Sequence, residues 1–291
     1  MSIEASAQTE FPAENMHRSR REELDHVDST GMEMLGAALL AGPANVIMQL
    51  AVPAVGYGVY ESKVESGNLF KNPTKRTRTT LTYLAVAAMG GPQLRRKYRQ
   101  AVNRSHAHVR SDENSPVKYN AFDPSLQLWV AACLYRGWED VQRLYGDPRR
   151  ITEEAYRQGA VMGTTLQMPP ELWPATRADF EDYWNTTVDD LEIDDTIREY
   201  LMRIVRMEFA HPVVRRLGGW YSEAMTIGFL PAPFRAKMRI EQKPWQRRFF
   251  ETHNAVARIV LRGCPKPVRQ FPLNAFLLDV RWRLRTGRPL V

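Results

Sequence analysis

The sequence has 291 residues, 44% of them hydrophobic, which is enough chain for one large domain or two small ones. Its formal net charge of +7 favours an anionic partner, such as a nucleic acid, a membrane surface or a carboxylate-bearing cofactor. Cys133 and Cys264 lie far apart and form neither a metal-binding pattern nor a disulfide framework, so a reduced, cytosolic compartment is expected. Because no stretch resembles an interdomain linker, we predict one domain.

The N-terminal region carries no secretory signal, because residues 1–30 are polar and charged and lack an apolar core. Residues 1–15 are small and polar without any period, which predicts a disordered tail. Residues 16–27 are typical of a charged amphipathic helix. The predicted helical domain therefore spans residues 16–291.

The stretch from Met34 to Tyr60 contains no Asp, Glu, Lys or Arg and is long enough to cross a membrane. Pro43 and Pro53, together with four glycines, divide it into shorter pieces. We therefore predict two buried helices that line an apolar space, with a true membrane span as the minority alternative.

A basic hairpin of two helices is predicted over residues 71–110, where ten Lys or Arg occur without any Asp or Glu. Asn72 caps the first helix, Pro73 occupies its first turn, and the glycine pair at 90–91 ends it before Pro92 opens the second. Since the whole chain is only +7, we predict that this hairpin carries the excess positive charge.

In the second helix of the hairpin, apolar residues recur at helical spacing, and His106 falls on their face. His108 is turned roughly 200° away from it. On the first helix Arg76 and Thr80 stack one turn apart, with Thr79 beside them. If the hairpin packs on the core, an imidazole and a polar Arg/Thr set face inward from neighbouring helices. The blander alternatives are a core histidine, a solvated basic surface and a threonine bonded to its own helix.

The remainder of the chain alternates helical periods with proline-rich joints. Asp123 and Pro124 begin a long helix that runs to Gly146, Thr152 begins the next, and Thr176 with Asp179 resembles a capping box. Because no β-hairpin signal is present, the predicted fold class is all-α. None of the six histidines forms the i, i+4 pair of a zinc helix, and serine-hydrolase and nucleotide-binding motifs are lacking.

Five segments, in order along the chain, carry a resemblance to a known family. They are Q-L-A-V-P-A-V-G-Y-G-V-Y-E-S at 49–62, K-N-P-T-K-R-T-R-T-T-L-T-Y-L at 71–84, V-N-R-S-H-A-H-V-R at 102–110, Y-N-A-F-D-P-S-L-Q-L-W-V-A-A-C-L at 119–134 and M-P-P-E-L-W-P-A-T at 168–176. Together they resemble the haem-dependent oxygenases that include the latex clearing protein (rubber oxygenase) and the MpaB-type oxygenases. Each motif is moderately specific alone, and five in order are fairly specific.

This resemblance implies an all-α fold with a globin-like core that binds haem b, whose iron is held by a proximal histidine mapping onto His106. The distal polar pair maps onto Arg76 and Thr80. The family's basic residue before the threonine falls on Thr79, or on Arg78 if the register slips by one, so both registers stay open. The glutamate proposed as the base in rubber oxygenases falls near Glu61.

The leading hypothesis is a haem b oxygenase in the cytoplasm, either free or peripherally associated with a membrane, that acts with dioxygen on an apolar, isoprenoid-like substrate. The alternative is a non-catalytic helical module that binds an anionic membrane surface through the basic hairpin. Nucleic-acid binding is disfavoured, because only Tyr83 and Tyr98 interleave the basic residues and both suit core packing better. The sequence gives neither the bond attacked nor the oligomeric state.

Overall fold

The computed structural model describes residues 32–62 and 68–291. The predicted tail over residues 1–15 and the predicted helix over residues 16–27 lie outside this part of the chain. Within it the regular structure is helical, and the only extended pairing is an isolated bridge between Arg110 and Asn120. The prediction of a single all-α domain is confirmed.

The α-helices are numbered here in chain order. They are α1 (Ala38–Ala51), α2 (Pro53–Tyr60), α3 (Pro73–Met89), α4 (Pro92–His106), α5 (Pro124–Tyr145), α6 (Glu153–Gln158), α7 (Val161–Thr164), α8 (Arg177–Asp190), α9 (Asp195–Val205), α10 (Pro212–Phe229), α11 (Ala232–Lys237), α12 (Pro244–Gly263), α13 (Lys266–Gln270) and α14 (Leu273–Arg285).

The uncharged stretch forms α1 and α2, as predicted. Ala44, Ile47 and Ala51 of α1 are buried, and the helix packs against α5, α9 and α10. Pro53 opens α2, where a missing amide proton costs least, and the axes of the two helices differ by 108°. Among the helices that the structure describes, none alone has the length and apolar character to cross a membrane, although this bent pair passes that test when taken together.

Helix α5 is the centre of the core. Its predicted start is confirmed, because the Asp123 carboxylate accepts a hydrogen bond from the amide of Ser125 at 2.8 Å and Gly146 follows the last turn. Buried side chains surround most of its circumference. Tyr135 alone makes ring contacts with four aromatic residues from α5, α6, α8 and the joint between α7 and α8: Trp138, Tyr156, Trp173 and Phe180.

A buried carboxylate fastens α5 to the start of α8. Glu139 is almost fully buried and accepts hydrogen bonds from Arg136 and Arg177, each at 3.0 Å. The Thr176–Asp179 capping box at this end of α8 is confirmed. Paired with two guanidinium groups, the buried charge avoids the large desolvation cost of a lone carboxylate.

The basic hairpin consists of α3 and α4, and the predicted start of each helix and the end of α3 are confirmed. Helix α4 ends at His106, four residues before the predicted end of the hairpin at residue 110. Asn72 occupies the N-cap position of α3 but forms no side-chain capping bond to that helix. Helix α3 packs against α4, α7 and α14, so it lies between its sequence neighbour and the C-terminal helix. Arg95 and Arg99 were expected on the polar surface of α4, but both are buried. Their long apolar stems permit this, and both have interaction partners.

Candidate functional site

His106 is the last residue of α4 and is half-buried, whereas His108 lies exposed in the loop that follows. The prediction placed both rings on one helix, roughly 200° apart, whereas the two differ in exposure because α4 ends before His108. The Nδ1 atom of His106 is buried and has no hydrogen-bond partner within residues 32–62 and 68–291. A buried ring nitrogen without a partner is uncommon, and it indicates a place where a bound group would complete the structure.

The imidazole of His106 is held in its neutral form. Burial, and secondly the positive charge of Arg76, lower its pKa from 6.5 to about 4. The ring is therefore uncharged at pH 7, and only a neutral imidazole can offer a lone pair to a metal. The guanidinium group of Arg76 on α3 is therefore within electrostatic reach of the imidazole at the end of α4.

Arg76 of α3 interacts electrostatically with residues of two other helices, α4 and α9. Burial lowers its pKa, and the hydroxyl groups of Tyr200 on α9 and Tyr98 on α4 act in the opposite direction. Within residues 32–62 and 68–291, none of the groups that act on this pKa is a carboxylate. A cation that is partly desolvated and not neutralised by an acid attracts a negatively charged ligand strongly.

The two threonines are bonded within their own helix. The hydroxyl group of Thr79 donates to the carbonyl of Lys75 at 2.9 Å, and that of Thr80 donates to the carbonyl of Arg76 at 3.1 Å. Tyr98 in turn donates to the carbonyl of Thr79 at 3.0 Å and ties α4 to α3. In this conformation each threonine oxygen can accept a hydrogen bond, but its proton is already used.

The structure separates the two possible registers on α3. Arg76 acts on His106, whereas Arg78 lines a surface hollow of about 460 Å³ near the start of the helix, together with residues 71–75. Both arginines lie near Tyr98, since each lowers the pKa of its hydroxyl group, which burial raises. Of the two arginines, Arg76 is therefore the one whose charge acts on the imidazole of His106.

Glu61 lies just past the end of α2 and is anchored to the loop between α4 and α5. Its Oε2 atom accepts hydrogen bonds from Ser115 and Tyr119, each at 2.8 Å. Tyr119 also lies against Gly58, where an added Cβ would meet its ring at 3.4 Å. Within the part of the chain that is described, no contact joins Glu61 to Arg76, Thr80 or His106. The predicted base is thus a carboxylate with two hydrogen bonds that fix a loop.

Tyr200 is a residue near Arg76 that the sequence analysis did not indicate. It packs edge-on against Tyr60 and Phe70, with ring centroids 5.4 Å and 5.3 Å apart, and Arg203 lies over the ring of Phe70 at 4.2 Å. This aromatic wall connects α2 and α9 to the start of α3. Tyr200 lies more than a hundred residues from Arg76 in sequence, and no motif marks it.

In residues 32–62 and 68–291, no group of three or more His, Cys, Asp or Glu side chains could hold a metal ion.

Comparisons with known proteins bear on the chemistry. The family model described as "ER-bound oxygenase mpaB/B'/Rubber oxygenase, catalytic domain" matches residues 31–260. Two curated proteins, uncharacterized protein Rv2237 of Mycobacterium tuberculosis and uncharacterized protein Mb2261 of Mycobacterium bovis, are each similar to this chain with 47% identity over 255 residues. The match covers 87% of this chain and 100% of each relative. No solved structure matches.

Proposed function

Because the chain belongs to the family of the ER-bound oxygenases mpaB/B′ and the rubber oxygenases, we propose that it is a haem b-dependent oxygenase that acts with dioxygen on an apolar substrate. The observation that carries the haem assignment is His106, a neutral, half-buried imidazole with an unpartnered ring nitrogen, placed beside the Arg76 cation. An isoprenoid-like chain is the substrate class that we favour.

The residues of the site suit a haem group. His106 would hold the haem iron through a ring nitrogen, and Arg76 would offer a cation to the haem carboxylates. When bound, haem supplies the iron at which dioxygen is activated. His106 needs no deprotonation to bind at pH 7, because burial and Arg76 already keep its pKa near 4.

The protein's own contribution is to orient, to polarise and to exclude water. The guanidinium of Arg76 is within electrostatic reach of the imidazole, so it would stabilise negative charge that develops during the reaction with dioxygen. Thr80, one turn further along α3, offers an acceptor oxygen while its proton stays on the helix. The uncharged helices α1 and α2 keep the interior apolar, which strengthens each of these electrostatic interactions.

A haem titration of the purified protein tests the proposal. We expect a Soret band in the parent protein, its loss in His106→Ala and its retention in His108→Ala, because His106 is half-buried and His108 is exposed. Equal haem content in the two variants would remove His106 from the site. A parent protein that stays colourless on addition of haem would sink the haem assignment and favour a non-catalytic binding module.

The distal assignment is tested by pairs of variants on α3. Arg76→Ala and Thr80→Ala are expected to keep haem but to slow substrate turnover about a hundredfold, the typical loss when one preorganised donor or cation is removed. Arg78→Ala and Thr79→Ala are the matched controls from the other register. If the controls lose turnover and the first pair does not, the register is Arg78/Thr79. Measuring substrate turnover in Glu61→Gln tests whether a base acts at that position.

A further inference from the structure

Large apolar side chains are exposed together on the C-terminal helices. Among the most exposed are Leu217 at 72% and Ile259 at 73%, and two tryptophans, Trp220 and Trp245, are about half exposed. Exposed apolar residues scattered singly need no explanation, but tryptophans and branched chains grouped on adjacent helices indicate an interaction surface.

Helix α12 carries this surface as a continuous stripe. With 100° of rotation per residue, Trp245, Val256, Ile259 and Val260 fall within roughly a third of the circumference. All four are exposed, whereas Gln246 and Asn254 on another face are buried. Helix α12 therefore packs on the protein through the face that carries Gln246 and Asn254, and its apolar stripe stays exposed.

The stripe extends to both neighbouring elements. Phe249 lies in the stripe and packs against Trp220 of α10, with ring centroids 5.1 Å apart. On the other side, an almost wholly apolar groove of about 550 Å³ separates α12 from Val268 and Phe271, which are themselves exposed. We name this continuous area, from Trp220 through the α12 stripe to Phe271, the C-terminal apolar face.

Positive charge surrounds the C-terminal apolar face. Residues 212–291 contain sixteen Lys or Arg against four Asp or Glu, an excess of twelve charges that is larger than the net charge of the whole chain. The prediction that the basic hairpin alone carries the excess was therefore wrong. Arg248 and Arg262 are exposed along one edge of the α12 stripe, and Arg215 and Arg216 are exposed beside Leu217 on α10.

We propose that the C-terminal apolar face binds the surface of an anionic lipid bilayer. Tryptophans and branched side chains would enter the interface between headgroups and acyl chains, while the flanking arginines contact the acidic headgroups. A second copy of the chain fits less well, because an isologous contact would bring two strongly cationic surfaces together. The inference does not depend on haem, since it rests on a surface apart from His106.

Flotation of the full-length protein with lipid vesicles tests the inference. We expect binding to vesicles of equimolar phosphatidylcholine and phosphatidylglycerol, and much weaker binding to phosphatidylcholine alone or at high salt. The double variant Ile259→Asp/Val260→Asp should lose most of the binding. Leu172→Asp, an exposed leucine of the turn Pro170–Leu172, is the matched control and should bind like the parent.

Charge reversals distinguish this face from the basic hairpin. Arg248→Glu/Arg262→Glu should weaken binding to anionic vesicles about tenfold or more. Lys75→Glu/Lys97→Glu reverses two exposed charges of the hairpin and should leave binding nearly unchanged. The inference is overturned if Lys75→Glu/Lys97→Glu weakens vesicle binding and Arg248→Glu/Arg262→Glu does not. It is equally overturned if the parent ignores anionic vesicles and Ile259→Asp/Val260→Asp instead converts a dimer to a monomer in light scattering.

Discussion

At the scale of single residues, His106 links the stability of the ligand-free protein to pH. Its pKa is about 4 in the folded state and 6.5 in its ordinary state, so between these values the unfolded chain binds a proton that the folded chain does not. The free energy of unfolding should therefore fall as the pH drops from 6.5 to 4, by at most about 3 kcal/mol, and should not change above this window on account of His106.

Urea denaturation at several pH values measures this effect as a difference between variants. His106→Gln should remove the slope and His108→Gln should keep it. The comparison with the parent is needed because burial raises the pKa of Asp140 to about 6, and that group contributes in the opposite direction. Stability due to Asp140 is present at low pH and lost as the pH rises through 6. A parent and a His106→Gln variant with the same pH profile would contradict the assignment.

Arg76 should act on the protonation of His106 directly. Its charge disfavours the imidazolium form, so Arg76→Gln is expected to raise the pKa of His106, while Arg78→Gln should move it less. Histidine ring resonances followed by NMR during a pH titration measure both shifts. Equal shifts in the two variants would mean that Arg76 is no closer to the ring than Arg78.

Sequence periodicity could place His106 on an inward face, because a helix fixes the relative directions of its own side chains. It could not place Tyr200 near Arg76, since that proximity depends on how α9 packs against α1 and α2. Nor could it give the burial of Arg95 and Arg99. Whether a basic residue beside an apolar face is covered depends on neighbours that are distant in sequence.

At the scale of the elements, the crossing of α10 and α12 depends on a glycine. A Cβ added at Gly228 would come within 2.2 Å of the ring of Phe250, which also packs against Phe229. Gly228→Ala should therefore destabilise the protein by about 1–3 kcal/mol through overpacking. Gly218→Ala in the same helix meets no atom within 4 Å and should stabilise it by up to about 1 kcal/mol.

Thermal denaturation of the two alanine variants checks this contrast. Since both substitutions raise helix propensity equally, only the contact with Phe250 distinguishes them. If both variants melted above the parent, the close approach of α10 and α12 would not exist in solution.

Helix boundaries were largely predictable, because they are set by local chemistry. Asp123 with Pro124 marked the start of α5, and Thr176 with Asp179 marked that of α8. Which face of a helix is buried was less predictable. The period of α12 reveals its apolar positions, but it does not say which of them another helix covers.

At the scale of the whole molecule, a bound haem should stabilise the fold. A ligand that binds only the native state adds RT ln(1 + [L]/Kd), about 4 kcal/mol when its concentration is a thousandfold above Kd. Calorimetry with and without haem should show a higher melting temperature for the loaded parent and no such rise for His106→Ala. An unchanged melting temperature of the parent would contradict haem binding in the native state.

The all-α class followed from helical periods repeated along the chain, and the single domain followed from the lack of a linker-like stretch, so both were predictable. The globin-like core implied by the resemblance stays a prediction, since no solved structure matches. The packing of α14 on α3 could not be predicted, because neither helix contains a signal for a partner at the other end of the chain.

That packing of α14 on α3 has a consequence for the order of folding. Helices α3 and α4 are joined by a turn of two glycines. The two helices, which carry Arg76 and His106, can therefore pack together through contacts that are local in sequence. Docking of α14 instead closes a loop of about 190 residues, and contacts of such high contact order form late. Pulse-labelled hydrogen exchange during refolding should therefore protect amides of the α3–α4 pair before those of α14. Simultaneous protection would mean that the pair cannot hold its shape without the C-terminal helix.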